Sequence, residues 1–213
     1  MQVLPRVRIY AGQVVLPSSE GYVGVEADPV SLIQRAAEEY GTVILEDISA
    51  VFGGMPHLDL LRKVEKLDVW VDGGIRVSEN VMDVLVAGGT KAVISTKTLQ
   101  SFSELDKAVT LTENLVFQID YCQRVLGRIA LRFSSVLEVL EKARMAGVEA
   151  FIFMDNCSPS PLEEAERLFS EEVLEDLYVG ILSKEQAEEA QDHSVKGVVV
   201  EALELIQELI LDE

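Results

Sequence analysis

"LDVWVDGGIRVSENVMDVLVAGGTKAVIS", residues 67–95, carries the reading of the fold. It opens on a short apolar run, Val69-Trp70-Val71, of residue types that favour a buried strand. Asp72 and the pair Gly73-Gly74 end that run, and Ser78 is placed to cap a helix over about 78–88. "KAVIS" (91–95) then begins a second strand. A strand, a helix and another strand in this order predict a crossover between parallel neighbours.

The same alternation runs along the whole chain. Short β-rich runs fall at about 3–9, 42–47, 67–72, 91–95, 115–120, 149–154, 176–181 and 196–200. Amphipathic segments fall at about 29–40, 58–66, 78–88, 101–109, 134–146, 161–170, 184–191 and 201–211. Asp28-Pro29 reads as a cap with proline in the first turn, and Ser160–Glu163 and Ser183–Gln186 read as capping boxes. Gly12–Leu16 reads as one arm of a hairpin in the first loop. Eight such units predict an α/β fold, an eight-stranded parallel βα (TIM) barrel. An open doubly wound sheet is the alternative, and it rarely spaces its units so evenly.

The two halves of the chain echo each other. "TVILED" (42–47) parallels "AFIFMD" (150–155), "DVWV" (68–71) parallels "DLYV" (176–179), and "KAVIST" (91–96) parallels "KGVVVE" (196–201). Three matches in order at nearly constant offset suggest a duplication. The expectation is one barrel domain over 1–213, built from half-barrels of about 1–112 and 113–213.

Nearly half of the residues, 48%, are apolar, which supplies a sizeable core, and no apolar run is long enough to span a membrane. The start, Met1-Gln2-Val3-Leu4-Pro5-Arg6, lacks the pattern of a secretory signal. A net charge of −19 with no basic run argues against nucleic acid as a partner. Two cysteines, Cys122 and Cys157, make no disulfide framework, so a reducing cytoplasm is expected. Each lies two residues past a strand-end aspartate, a placement that lets them be neighbours in the barrel mouth, and free buried thiols are expected.

The active site of a βα-barrel lies where strands end and loops begin. Arg8, Asp47, Asp72, Asp120 and Asp155 occupy such ends. Carboxylates converging on one mouth suit acid–base work or a cation, while capping of the next helix is the plain alternative for any one of them. His57 and His193 fall at helix edges, away from any zinc-like spacing, so no metal is expected. No nucleophile elbow, Walker-type loop or other cofactor motif is found, and no cofactor is expected.

Gly73, Gly74 and Arg76, with Ser95 and Thr96 at the next strand end, form a candidate phosphate site. Glycines let backbone N–H groups approach an anion, and arginine pairs with it or braces the loop through a nearby acid. The plain alternative is a tight turn with a surface arginine. In the second half Asp72-Gly73-Gly74 becomes Gly180-Ile181-Leu182, and Thr96 is answered by Glu201, whose charge repels phosphate. One phosphate rather than two is expected.

These residues carry a resemblance. "DGGIR" (72–76) with "AGGTKAVIST" (87–96), "LEDISA" (45–50), "FGGMP" (52–56) and "FQIDYCQRVLG" (117–127) resemble the histidine-biosynthesis barrels, the ProFAR isomerase and the cyclase subunit of imidazole glycerol phosphate synthase. The resemblance covers nearly the whole length, more weakly in the second half. It implies a duplicated half-barrel fold and ligands bearing phosphoribosyl groups. It also implies a pair of aspartates, at the ends of the first and fifth strands, acting as acid and base. Asp120 matches the second; Arg8, in "PRVR" where the isomerase reads Pro-Ala-Ile-Asp, replaces the first. Met154 stands where the isomerase has threonine, leaving Asp155, and the loop after the fifth strand is cut to roughly 121–132. The expectation is a divergent relative, an isomerase or lyase; the alternatives are a genuine ProFAR isomerase with altered catalytic residues and a non-catalytic sensor or partner subunit. Its expected ligand is a singly phosphorylated, sugar-like molecule, with Asp120 as acid–base group, Asp47 and Asp155 as further candidates, and Arg8 on an anionic group. A protein partner remains open, since the cyclase works docked to a glutaminase.

Overall fold

A computed structural model describes residues 1–206. Its strands are β1 (Gln2–Tyr10), β2 (Gln13–Ser18), β3 (Gly21–Gly24), β4 (Thr42–Asp47), β5 (Asp68–Asp72), β6 (Lys91–Ser95), β7 (Leu115–Tyr121), β8 (Phe151–Asp155), β9 (Leu177–Gly180) and β10 (Gly197–Glu201). Its helices are α1 (Pro29–Tyr40), α2 (Ile48–Val51), α3 (Leu58–Lys63), α4 (Glu79–Val86), α5 (Phe102–Leu111), α6 (Val136–Ala146), α7 (Pro161–Leu168), α8 (Glu171–Leu174), α9 (Lys184–Glu189) and α10 (Ala202–Leu205). β1, β4, β5, β6, β7, β8, β9 and β10 pair in that order, and β10 pairs back to β1, all parallel. The sheet is therefore a closed eight-stranded barrel with helices around it. β2 and β3 stand outside the ring as an antiparallel hairpin hung on β1 through Ile9–Val14. Gly12–Leu16 thus forms a hairpin arm, as its composition suggests.

Side chains alternate along each strand, and the barrel sorts them into two cores. Leu4, Ile44, Trp70, Val93, Val116, Ile152, Tyr178 and Val199 pack inside the ring. The opposite parity, including Val43, Leu45, Val71, Ile94, Phe117, Phe153, Val179 and Val200, packs under the helices. Inside, the Trp70 and Tyr178 rings meet edge-on at 5.6 Å. Aromatic rings favour that geometry, and these two residues are partners in the internal repeat.

Asp28 caps α1 by accepting from the Ser31 N–H at 2.8 Å, with Pro29 in the first turn. Ser183 caps α9 through the Gln186 N–H at 3.4 Å. Two expected caps are absent. Ser160 makes no side-chain cap bond to α7. Ser78 has helical backbone angles, and its N–H and hydroxyl donate to Glu104 instead. A residue already inside the helical region cannot turn its side chain back over the first N–H groups. The helix expected at 201–211 begins as α10; its part beyond 206 lies outside the described residues.

The cysteine expectation is corrected. Cys122 and Cys157 are joined in a disulfide, with Cα atoms 5.1 Å apart. Parallel register sets Tyr121 beside Asp155, so the residues just beyond each strand end are delivered side by side. Neighbours at that separation are within bonding reach. The support that free thiols lent to a reducing compartment goes with them. Among the described residues no helix is long and apolar enough to cross a membrane.

Candidate functional site

Strand parity also decides which polar side chains reach the barrel mouth. One step above the apolar floor, on the same inward parity, stand Arg6 and Arg8 of β1, Glu46 of β4, Asp72 of β5, Ser95 of β6, Gln118 and Asp120 of β7, Met154 of β8, Gly180 of β9 and Glu201 of β10. Every charged member of this set is more than nine-tenths buried.

Register brings opposite charges together. Arg6 is paired with Glu201 across β1–β10, and Arg8 with Glu46 across β1–β4. Arg6 donates from Nε and Nη2 to Glu201 Oε1 at 2.9 and 2.7 Å. Arg8 donates from Nε to Glu46 Oε2 at 2.7 Å and from Nη1 to Glu201 Oε1 at 2.6 Å. The Arg6 Nη1 to Glu46 Oε2 distance of 3.7 Å closes the ring. Burial opposes the Glu46 charge, yet Arg8 and Arg6 outweigh it and hold its pKa down to about 2. Arg8 is raised above its ordinary value against the same burial, by Glu46 and Glu201. The guanidinium expected to meet a ligand's anionic group is already held by two carboxylates.

A second cluster lies on the β5–β7 side. Asp120, 1% exposed, accepts from the Ser95 hydroxyl at 2.5 Å and from Gln118 Nε2 at 3.1 Å. Lys97 Nζ sits 2.8 Å from Asp120 Oδ1, with its side chain 31% exposed. Burial works against the Lys97 charge, but Asp120 and Glu46 raise its pKa overall. Asp72 is buried, 2% exposed, and its carboxyl accepts from the Gly74 N–H at 3.0 Å. Burial first, and then the Glu46 charge, push its pKa up to about 8. The count agrees: Arg6, Arg8 and Lys97 face Glu46, Glu201, Asp72 and Asp120, so the mouth is neutral when Asp72 carries a proton.

Asp47 and Asp155 have the outward parity and serve turns. Asp47 accepts from the Ala50 and His57 N–H groups and from the His57 ring. Asp155 accepts from the N–H groups of Cys157 and Ser158.

The residues of the candidate phosphate site are adjacent, since the Thr98 hydroxyl and the Gln100 N–H bridge the two loops to the carbonyls of Ile75 and Arg76. The N–H groups of Gly74 and Thr96 and the guanidinium of Arg76, however, are turned to protein acceptors. The Gly74 N–H serves Asp72, and the Thr96 N–H serves the Gln118 carbonyl. Arg76 braces the loop, donating to the carbonyls of Gly74, Ala50 and Val51 at 2.6, 3.0 and 2.7 Å. The sequence left open whether Arg76 met an anion or an acid; its partners are carbonyls. Gly74 has φ +67, and a Cβ there would lie 2.3 Å from the Ala50 carbonyl oxygen, so glycine is required by the approach of α2. Gly127, at φ +106, lets the loop after β7 lie on the Thr96 carbonyl, 1.8 Å from where its Cβ would stand.

Parity also shifts one equivalence between the halves. Val93 and Val199 both face inward, which sets Glu201 against Ser95 rather than Thr96.

Set against known families, residues 2–156 match the one described as "Histidine biosynthesis protein". The chain belongs to that family. The match spans β1 to the end of β8, so it takes in Asp72, Lys97 and Asp120 and stops short of Glu201. Within this histidine-biosynthesis barrel, Arg8 occupies the strand end where the resemblance leads one to expect an aspartate.

Sequence reading missed Glu46, Lys97 and Arg6. The signal was available in parity: Glu46 lies two residues beyond Ile44, and Arg6 two beyond Leu4. Lys97 follows Thr96 directly, outside any strand, and nothing in its spacing marks it.

Proposed function

We propose that this barrel binds a small phosphorylated, sugar-like molecule and moves a proton on it, with Asp72 as acid and Asp120 as base. One observation carries the reading: a buried carboxyl kept protonated near neutrality, Asp72, shares the mouth with an ion-paired carboxylate, Asp120. An enzyme can divide acid and base roles between two titratable groups when the environment keeps one of them protonated. In an isomerisation, Asp120 takes the proton from a carbon beside the ligand's carbonyl. Lys97 stabilises the oxyanion that develops, and Asp72 donates the proton that neutralises it. Lys97, the partly exposed cation of the cluster, is also the group best placed to meet a phosphate. Family membership supports the ligand class.

The test combines binding and exchange. A panel of phosphorylated sugars is titrated calorimetrically, and each binder is followed by NMR for deuterium uptake from solvent at carbon. Asp120→Asn and Asp72→Asn should each slow uptake by ~100-fold or more while retaining binding; Lys97→Met should weaken both. Binding without any uptake by the wild-type protein would instead support a non-catalytic ligand sensor. One observation favours that second reading: the mouth's arginines are already consumed by Glu46 and Glu201.

A further inference from the structure

The Cys122–Cys157 bond ties together the two turns that lie beyond the last paired residues of β7 and β8. β7 and β8 are already laddered as far as Tyr121–Asp155, and the eight-strand ring closes without it. The covalent link therefore acts on what lies beyond the strand ends. On one side is the turn in which the Cys122 N–H donates to the Arg124 carbonyl and the Leu126 N–H to the Asp120 carbonyl at 2.7 Å. Gln123 sits there with φ +57, a left-handed conformation disfavoured for a side chain of this kind. On the other side Asn156 donates from N–H and Nδ2 to the Tyr121 carbonyl, and its Oδ1 accepts from Lys97 Nζ at 3.3 Å. Cys157 is exposed and Cys122 half-buried, so an external thiol can approach the bond from solvent.

We propose that Cys122–Cys157 is a reversible redox modification site, reduced by a dithiol donor, that latches the turns over the candidate site. A donor thiolate attacks one Sγ, forming a mixed disulfide and releasing the other cysteine as a thiolate. The donor's second thiol then displaces the first cysteine, and the donor leaves as its own disulfide. Two electrons and two protons pass to the protein. With the bond open, Gln123 relaxes out of its left-handed conformation, the 122–127 turn and the 156–158 turn separate, and Asn156 lets go of Lys97. What that release does to proton transfer at Asp120 rests on the functional reading above; the latch itself does not.

The test needs no ligand. The full chain is equilibrated with dithiothreitol at graded reduced-to-oxidised ratios, its free thiols are counted by alkylation and mass spectrometry, and its circular dichroism is recorded. Two thiols should appear while the dichroism stays native. Hydrogen exchange in 121–127 and 156–158 should rise by roughly 10-fold or more on reduction, with β4, β5 and β6 unchanged, and acetylation of Lys97 should quicken. The Cys122→Ser/Cys157→Ser double variant should show the same exchange and acetylation without reductant. Thiols that appear only on unfolding overturn the proposal, as do unchanged exchange in the two turns or unchanged Lys97 acetylation. Failure of the sugar panel leaves all these readouts intact, and failure of the latch leaves Asp72 and Asp120 as proposed.

Discussion

Replacing Asp72 by asparagine tests the protonated carboxyl directly, through stability alone. Asp72 ionises near 3.9 when unfolded and at about 8 when folded, because burial and Glu46 oppose its charge. Between those values the folded state binds a proton that the unfolded state has released. The stabilisation is therefore complete below about pH 4 and is lost as pH rises toward about 8. Each pH unit in that window costs ~1.4 kcal/mol, so the whole window is worth on the order of 5 kcal/mol. Asparagine keeps the shape of the neutral acid and can accept from the Gly74 N–H, but it has no proton to lose. Urea unfolding of both proteins at steps from about pH 5 to about pH 8 should show the variant gaining on the wild type by ~1.4 kcal/mol per pH unit. Taking the difference removes the other titrating groups common to both. Parallel stability curves would refute the reasoning: Asp72 would then be ionised throughout, and its role as an acid would fall with it.

Glu201→Gln should destabilise the fold by ~3–5 kcal/mol in chemical denaturation, because Arg6 and Arg8 lose a shared buried partner; a loss under about 1 kcal/mol would mean that water already reaches the ring. Arg76→Ala should cost stability, at ~1.5–3 kcal/mol for each carbonyl bond made by a charged donor, and leave affinity for phosphorylated sugars unchanged. Affinity lost at unchanged stability would restore Arg76 to a phosphate. The protein should not turn over ProFAR, since Arg8 stands at the first strand end; a rate of about 1 s⁻¹ or more would contradict this. Arg8→Asp alone should not install that activity, because Met154 and the shortened loop after β7 remain.

The fold was legible because a barrel repeats its instruction eight times. Each short apolar run is followed by an amphipathic segment, so errors of one or two residues at an edge do not alter the topology. The site was legible only in part. Asp120 and Asp72 declare themselves as acids at strand ends, but the sequence does not say that Asp47 and Asp155, one residue further along equivalent strands, face the other way. "DGGIR" looked like an anion grip because glycines and an arginine are what a grip needs. They are equally what a loop needs when α2 approaches at van der Waals range and leaves its carbonyls to be satisfied. The equal offset of Cys122 and Cys157 from strand-end aspartates pointed to one mouth, but not to the β7–β8 register that sets their Cα atoms 5.1 Å apart and lets them bond.

Strand parity recasts what divergence between the halves has done. With inward residues matched, Arg6 and Arg8 stand against Gln118 and Asp120, Glu46 against Met154, Asp72 against Gly180, and Ser95 against Glu201. Cations at β1 demand acids within reach, and register supplies them from the flanking strands β4 and β10. On the opposite side the mouth keeps Ser95, Lys97 and Asp120 together, next to Asp72 on β5. At β9 no acid remains: Gly180 leaves room for Met154, whose sulfur would lie 2.3 Å from a Cβ there and accepts from Arg6 at 3.5 Å. The buried ring on the β1 side therefore spends its charges on itself, at a desolvation cost that pairing only offsets. Asp72 is the group caught between the two clusters, repelled by Glu46 from one and Asp120 from the other. Its proton is the point at which charge on one cluster acts on the other. Neutralising Glu46 as Glu46→Gln should therefore lower the Asp72 pKa and narrow the pH window over which stability is lost, read in the same urea series.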